Sequence, residues 1–194
     1  MAKRIVIIQG HPDPQGGHFG HALADAYASG AEVAGHQVRR VEVARLDVTF
    51  VRGQAEWGGG PLPAGLREAQ AAIGWADHVV LVFPLWLGTM PALLKAFLEQ
   101  VLRPVFAFHL REGGRWEKAL GGRSARLVVT MGMPAFWYRW FFLAHGVRGL
   151  ERNILNFCGI RPVRESFIGL VESKHGARRA AWLDRMRKLG GTGR

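Results

Sequence analysis

Cysteine is almost missing from this chain. Cys158 is the only one in 194 residues, so no internal disulfide can form, and the usage fits a reducing compartment. Long apolar runs are missing too. No stretch approaches the roughly 20 residues that cross a bilayer. The run IVII at 5–8 is too short for a signal-peptide core, and no small-residue cleavage site follows it. The expectation is a cytoplasmic protein. Neither GxGxxG nor GxxxxGK[ST] occurs, which excludes a dinucleotide fingerprint and a P-loop. Zinc-finger, RNP and basic-zipper patterns are likewise absent. Lysine is scarce, 5 against 21 arginines, yet the net charge is +11. Such a charge suits nucleic acid, anionic lipid or a phosphate-bearing ligand, and equally a coding bias toward Arg, Ala and Gly; the basic residues are scattered except in the C-terminal helix. No specific nucleic-acid partner is expected; a phosphate-bearing cofactor is.

What is present is a globular composition, 48% hydrophobic and 21% charged. Three short runs are apolar without alternation: IVII at 5–8, VVLVF at 79–83 and LVV at 127–129. Unbroken β-branched runs suit strands covered on both faces, as in parallel sheets. Helical spacing separates them, as in Phe19, Ala22, Leu23, Ala26 and Tyr27, and again in Leu93, Leu94, Phe97, Leu98, Val101 and Leu102. The pattern predicts strands at 3–9, 37–43, 78–83, 125–131 and 163–171, with helices at 18–34, 64–75, 91–102, 138–157 and 174–189. Trp57-Gly58-Gly59-Gly60-Pro61 reads as a loop. Residues 106–122 read as an insertion, with Gly113-Gly114 and Gly121-Gly122 marking a small hairpin.

Alternating strands and helices imply right-handed crossovers and an open α/β sheet. The fully apolar strands belong in the middle and the charge-interrupted ones at the edges. The expected fold is a single domain over 1–194, a flavodoxin-like, doubly wound five-stranded parallel sheet of order 2-1-3-4-5. Sheets wound in that order bind their ligands beyond the carboxyl ends of the strands, where the winding reverses.

Three loops leave those ends on the central strands. GHPDPQGGHFGHAL has glycines before a helix start, which suits an anion, with His11, His18 and His21 as further donors. It equally suits a polar turn that caps the helix. Zinc wants a fourth ligand, and neither a second cysteine nor a clear carboxylate partner is offered, so no metal is expected. The second loop holds Leu85, Trp86, Leu87 and Gly88; its indole can flank a flat ligand or pack under a helix. The third runs Thr130-Met131-Gly132-Met133-Pro134. Beyond it lie Tyr138 and His145, seven residues apart. About two helical turns apart, they share a face and could manage protons beside a flat ligand, or simply reach water. Cys158, in NFCGI, reads as a small core hydrophobe. The last helix presents a basic face, with Trp182, Met186 and Leu189 turned inward.

Taken together, IVIIQGHPD, FPLWLGTMPALLKAF, GGRSARLVVTMGMP and ILNFCGI resemble the NAD(P)H:quinone oxidoreductase family, the dimeric NAD(P)H dehydrogenase (quinone) branch of the flavodoxin-like flavoproteins. The resemblance spans nearly the whole chain. It implies FMN or FAD as cofactor and NAD(P)H as electron donor, with a two-electron, ping-pong transfer to a quinone. It places His11, Phe19 and Gly20 at the flavin phosphate, Leu85, Trp86, Leu87 and Gly88 along the ring, and Thr130, Met131, Gly132 and Met133 at its polar edge. It makes Tyr138 and His145 the catalytic pair near the quinone. It has Phe106 and Phe108 reach across a homodimer to roof the partner's substrate. Some relatives are ancillary subunits of potassium-efflux transporters, so peripheral docking to such a membrane partner is the second reading. Non-specific nucleic-acid binding through charge is the third.

Overall fold

The computed structural model describes residues 1–111, 114–173 and 176–194. Five strands form one parallel sheet: β1 (Arg4–Gln9), β2 (Gln37–Glu42), β3 (His78–Pro84), β6 (Ser124–Thr130) and β7 (Val163–Ile168), in the order β2-β1-β3-β6-β7. Two short antiparallel strands, β4 (Phe108–Leu110) and β5 (Trp116–Lys118), make the hairpin expected in the insertion. Ile5 pairs with Val38 on one side and His78 on the other, which sets the register of the centre. Along β1 and β3 the apolar residues are almost fully buried, because helices cover both faces of the sheet.

The two faces carry separate cores. On one, α1 (Phe19–Val33) and α8 (Gly176–Thr192) pack over Ile5, Ile7, Val80 and Val82, with Leu23, Tyr27 and Met186 beneath them. Those two helices cross so closely that a Cβ on Gly30 would lie 2.0 Å from the Arg187 carbonyl oxygen, and one on Gly190 2.0 Å from that of Tyr27. Only glycine permits that approach. On the other face lie α2 (Gln54–Gly59), α3 (Arg67–Trp75) and α4 (Ala92–Val101), followed by α5 (Ala135–Trp140), α6 (His145–Gly149) and α7 (Asn156–Cys158). Helix α4 shows how sequence becomes packing. Pro91 precedes it without needing an amide partner, and Leu94, Phe97, Leu98 and Val101 form one buried stripe. Fully burying a side chain of that size stabilises by roughly 1.5–3 kcal/mol.

Four readings change. The stretch expected as a loop at 57–61 holds a helical turn, α2, whose end is closed by the Gly60 amide donating to the Ala55 and Glu56 carbonyls. The last sheet strand stops at Ile168 rather than 171, because Leu170 turns to φ 56°. The helix expected over 138–157 is not continuous. Leu143 (φ 52°) and Ala144 (φ 49°) take left-handed backbone and break α5 from α6, and the backbone from Leu150 to Leu155 widens to a π-helix. Finally, Phe108 is a core residue, buried against Trp57, Trp116 and Phe157. A ring packed there has almost no surface left with which to roof another subunit's substrate. Phe106 is partly buried and meets Gly74 of α3. The expected helix start at 174 and Gly113 lie outside the described residues.

Candidate active site

The three loops do converge at the carboxyl tips of β1, β3 and β6. After β1, the Gly10 amide donates to the Val82 carbonyl on β3 (2.8 Å), so the chain leaves the sheet hard against its neighbour. Gln9 ends the apolar run, and its buried Oε1 accepts the His11 amide (3.2 Å). His11 Nδ1 in turn accepts the Asp13 amide (3.1 Å). With Nδ1 accepting, the proton of the neutral ring sits on Nε2 and is free to point at a ligand. Burial, and then the neighbouring His18 and His21, hold His11 below the usual imidazole range. Asp13 fixes the rest of the loop: one oxygen pairs with His18 Nε2 (2.7 Å), the other accepts the Gln15 amide (2.9 Å). His11 and His18 stack with centroids 3.8 Å apart, and His21 lies 5.6 Å from His11.

Gly16 and Gly17 both adopt positive φ, 73° and 76°, and swing the chain into α1. Among the described residues, the amides of Gly16, Gly17 and His18 donate to no acceptor. Phe19 and Gly20 open the helix, so their amides have no partner four residues back. The loop's own carboxylate, Asp13, is occupied by His18. The result is a row of backbone donors at a helix start, the arrangement that suits a phosphate.

The second loop explains itself through its backbone. The Trp86 amide donates to the Thr89 carbonyl (2.9 Å) and the Thr89 amide returns to the Trp86 carbonyl (3.0 Å). Between them Leu87 (φ 48°) and Gly88 (φ 80°) both turn left-handed, the signature of a two-residue type I′ turn. Glycine tolerates this; a leucine there carries strain on the order of 1–3 kcal/mol. The turn lifts Trp86 into solvent, 49% exposed, with its ring 6.0 Å edge-on from His11. Leu87 is fully exposed at the tip. Strain kept in an exposed apolar residue at a strand end is a mark of function rather than of packing.

The third loop supplies amides rather than side chains. Gly132 and Met133 donate to no described acceptor. Met131 differs from its neighbours. Its amide donates to the Ile168 carbonyl (2.9 Å) and its side chain is buried in the core, so it has nothing left for a ligand's edge. Thr130 is buried at the strand end, and its carbonyl accepts the Leu85 amide (2.7 Å), tying the second and third tips together.

Tyr138 and His145 do not share a helix face, since the break at 143–144 separates them. Tyr138 is 1% exposed. Its hydroxyl donates to the Gly88 carbonyl (2.9 Å) and accepts the Val147 amide (3.3 Å), and burial raises its pKa. It is a strut between the Trp86 turn and α6. Gly146 makes the same joint from the other side: a Cβ there would lie 2.2 Å from the Gly88 carbonyl oxygen. His145, next to it, is exposed beside this turn. Three residues in this assembly are not singled out by the sequence: Gln9, Asp13 and Gly146. A polar side chain closing the IVII run is the signal for Gln9. Nothing local marks Gly146, whose constraint comes from a loop nearly sixty residues earlier.

Trp86 and Leu87 after β3, and Phe136 and Trp137 at the start of α5, are all exposed, and we refer to the surface at the strand tips as the shelf. A cavity of about 630 Å³ lies elsewhere, at the edge of β2 against α3. Size alone does not make it the site, because the converging donors are at the tips.

Comparison with known proteins adds a family match and several relatives. A family model described as flavodoxin-like fold matches residues 3–189. A ribosyldihydronicotinamide dehydrogenase-like protein, traD, of Penicillium crustosum is 30% identical over 179 aligned residues, covering 78% of this chain and 64% of its own length. The chain thus spans just under two thirds of that relative. An uncharacterized NAD(P)H oxidoreductase of Haemophilus influenzae is 27% identical over 176 residues, covering 87% of this chain and 86% of its own. Among solved structures, an NAD(P)H:quinone oxidoreductase from Methanothermobacter marburgensis superimposes with a TM-score of 0.79 at 22% identity, covering 98% of each chain.

Proposed function

Since the chain belongs to the flavodoxin-like fold family, with NAD(P)H oxidoreductases among its relatives, we propose that it is a flavin-dependent enzyme passing two electrons from NAD(P)H to a quinone-type acceptor. Donor and acceptor use the one shelf in alternation. The observation that carries this reading is the set of unpartnered amides at two strand tips, flanking an exposed indole on a strained turn.

The residues fit such a cofactor. The amides from Gly16 to Gly20 and the His11 Nε2–H would hold its phosphate, aided by the positive end of α1. Trp86, with Leu85, Leu87 and Gly88, would line the ring. The Gly132 and Met133 amides would face its polar edge, where fixed donors steady negative charge without reorganising. A bound flavin supplies the two-electron redox chemistry that no side chain of this protein can perform. The chain's own part is orientation and electrostatics. His145, exposed beside the Trp86 turn, would exchange a proton with an acceptor on the shelf. Tyr138 we assign to positioning, because both of its hydrogen bonds go to backbone.

A second copy of the chain would close the shelf. Phe136, Trp137, Trp140, Phe141, Phe142 and Leu143 are all exposed within one short stretch. So much contiguous apolar surface suits an interface. We therefore propose a homodimer, with this stretch in place of Phe108 as the segment facing the partner.

The decisive experiment is a visible absorption spectrum of the purified protein, with mass analysis of whatever heat releases. A flavin spectrum, and weaker retention in Trp86→Ala, are expected. A colourless protein that also refuses added FMN and FAD would overturn the reading.

A further inference from the structure

Three histidines crowd the loop after β1, and a single phosphate contact from His11 does not account for the other two. The His11 and His18 centroids are 3.8 Å apart, and His21 lies 5.6 Å from the first and 5.8 Å from the second. Rings packed this closely beside a row of free amides suit an anion that carries more than one charge. We propose that His18 takes up a proton when a flavin phosphate binds, so that the cofactor is held tightly in mild acid and loosened above neutrality. The inference rests on the flavin reading and adds to it the charge state of the loop.

Hydrogen bonding decides which ring titrates. His11 Nδ1 accepts the Asp13 amide (3.1 Å), so this ring is already a donor at Nε2 while neutral. Burial, and then His18 and His21, keep it below the usual imidazole range. Two stacked cations would repel, so the pair takes one proton rather than two. His18 is arranged the opposite way. Its Nε2 lies 2.7 Å from an Asp13 oxygen. The His18 ring first, and then the Gln15 amide, hold Asp13 below the usual carboxylate range, so that oxygen is ionised and only accepts. Nε2 therefore carries a hydrogen in either charge state. In the neutral ring Nδ1 is then a bare lone pair, which turns a phosphate away; protonation makes it a donor. Nδ1 is the ring nitrogen nearer the main chain, and the residue sits at the start of α1, where its own amide donates to no described acceptor. The side chain is 43% exposed, so proton and ligand both reach it.

The other charges around the cluster are paired. His21, on α1, has a buried Nδ1 and lines a small cavity with Asp25, Arg40 and Glu42. Asp25 pairs with Arg40, and Glu42 with Arg45 (2.6 Å). Arg179, from α8, lies over the Phe19 ring (4.9 Å) and donates to the Val171 carbonyl (3.2 Å). From the loop after β3 the neighbour is Trp86, which carries no charge. Among the described residues, Asp13 is the one carboxylate hydrogen-bonded to these rings. Phosphate favours the charged ring, so affinity is greatest in acid and falls as pH rises through the range where the occupied loop gives up its proton. A ligand that raises an imidazole by about one unit binds about fivefold more tightly at pH 6.5 than at 8.5, and draws in about half a proton at pH 7.

The test is calorimetric titration of the full-length protein with FMN, and with FAD, in two buffers of different ionisation enthalpy, which counts protons. Riboflavin has the same ring and no phosphate, and serves as reference. Affinity for the phosphate-bearing flavin should fall about fivefold from pH 6.5 to 8.5, with about half a proton taken up at pH 7. Riboflavin should change by less than about twofold and take up none. His18→Gln keeps a donor toward Asp13 and cannot titrate, so it should abolish the uptake and flatten the profile. Asp13→Asn removes the partner that favours the charged ring, so the fall should move to lower pH. Should either variant misfold, the proton count of the unaltered chain still decides. No uptake, equal uptake with riboflavin, or an unchanged profile in His18→Gln would overturn the proposal and leave flavin binding intact. Refusal of every flavin would instead overturn the reading beneath it.

Discussion

Replacing Tyr138 by Phe separates two roles that the family resemblance merges. The substitution keeps the ring in its core position and removes only the hydroxyl. The Gly88 carbonyl and the Val147 amide both lose a partner, at 2.9 and 3.3 Å respectively. Leaving buried groups unsatisfied costs about 1–3 kcal/mol. For a chain of this length a melting temperature falls roughly 2–4 °C per kcal/mol, so a drop on the order of 5 °C is expected. The freed Gly88 carbonyl loosens the turn that presents Trp86, and flavin affinity should fall about tenfold, or about 1.4 kcal/mol. Once flavin is saturating, kcat should stay within about twofold, with an unshifted pH profile. A lost proton donor behaves differently, costing about 10²–10⁴-fold in rate. Thermal melts, flavin titration and steady-state kinetics read all three. A hundredfold loss of kcat at unchanged flavin affinity and melting temperature would refute the strut and restore the tyrosine to the chemistry.

Other outcomes are equally specific. Leu87→Asn relieves left-handed strain of about 1 kcal/mol, so the melting temperature should rise a few degrees while KM for an apolar quinone increases. Gly146→Ala drives a methyl into the Gly88 carbonyl and should cost about 1–3 kcal/mol, with weakened flavin retention seen in the same titration. His78 is held neutral in the fold, its pKa pushed down to about 3 from 6.5. The unfolded chain therefore takes up the proton first, and stability should fall as pH drops from 6.5 toward 3, by up to about 1.4 kcal/mol per pH unit. Urea melts of His78→Gln should show a shallower pH slope over that window; an identical slope would contradict the burial argument. Cys158 is buried and its thiol is pushed up to about 11, so a disulfide reagent should leave it unmodified until urea unfolds the protein.

The sheet was legible because its signal is local. IVII and VVLVF have no polar interruption, and only a strand covered on both faces needs that. The order of the strands followed from which runs were interrupted. The three strand tips where the loops converge were legible for the same reason, since they sit where those runs end. The break between α5 and α6 was not. Leu143 and Ala144 adopt left-handed backbone without any glycine or proline to announce it, and α6 is held beyond the break by the close approach of Gly146 to Gly88, in another element. Phe108 was misplaced because its partners, Trp57 and Phe157, are each about fifty residues away. Resemblance supplied a role for the ring; packing in this chain supplied another.

The crossing at Gly30 and Gly190 ties the last helix to the loop proposed to hold a phosphate. The helix whose opening amides would greet the phosphate rests its rear half on the closing helix, backbone to backbone. Any bulk added at position 190 would tilt that rear half and, through a rigid rod of fifteen residues, misaim its front. Drift in the tail is thereby policed by a duty performed at the opposite end of the molecule.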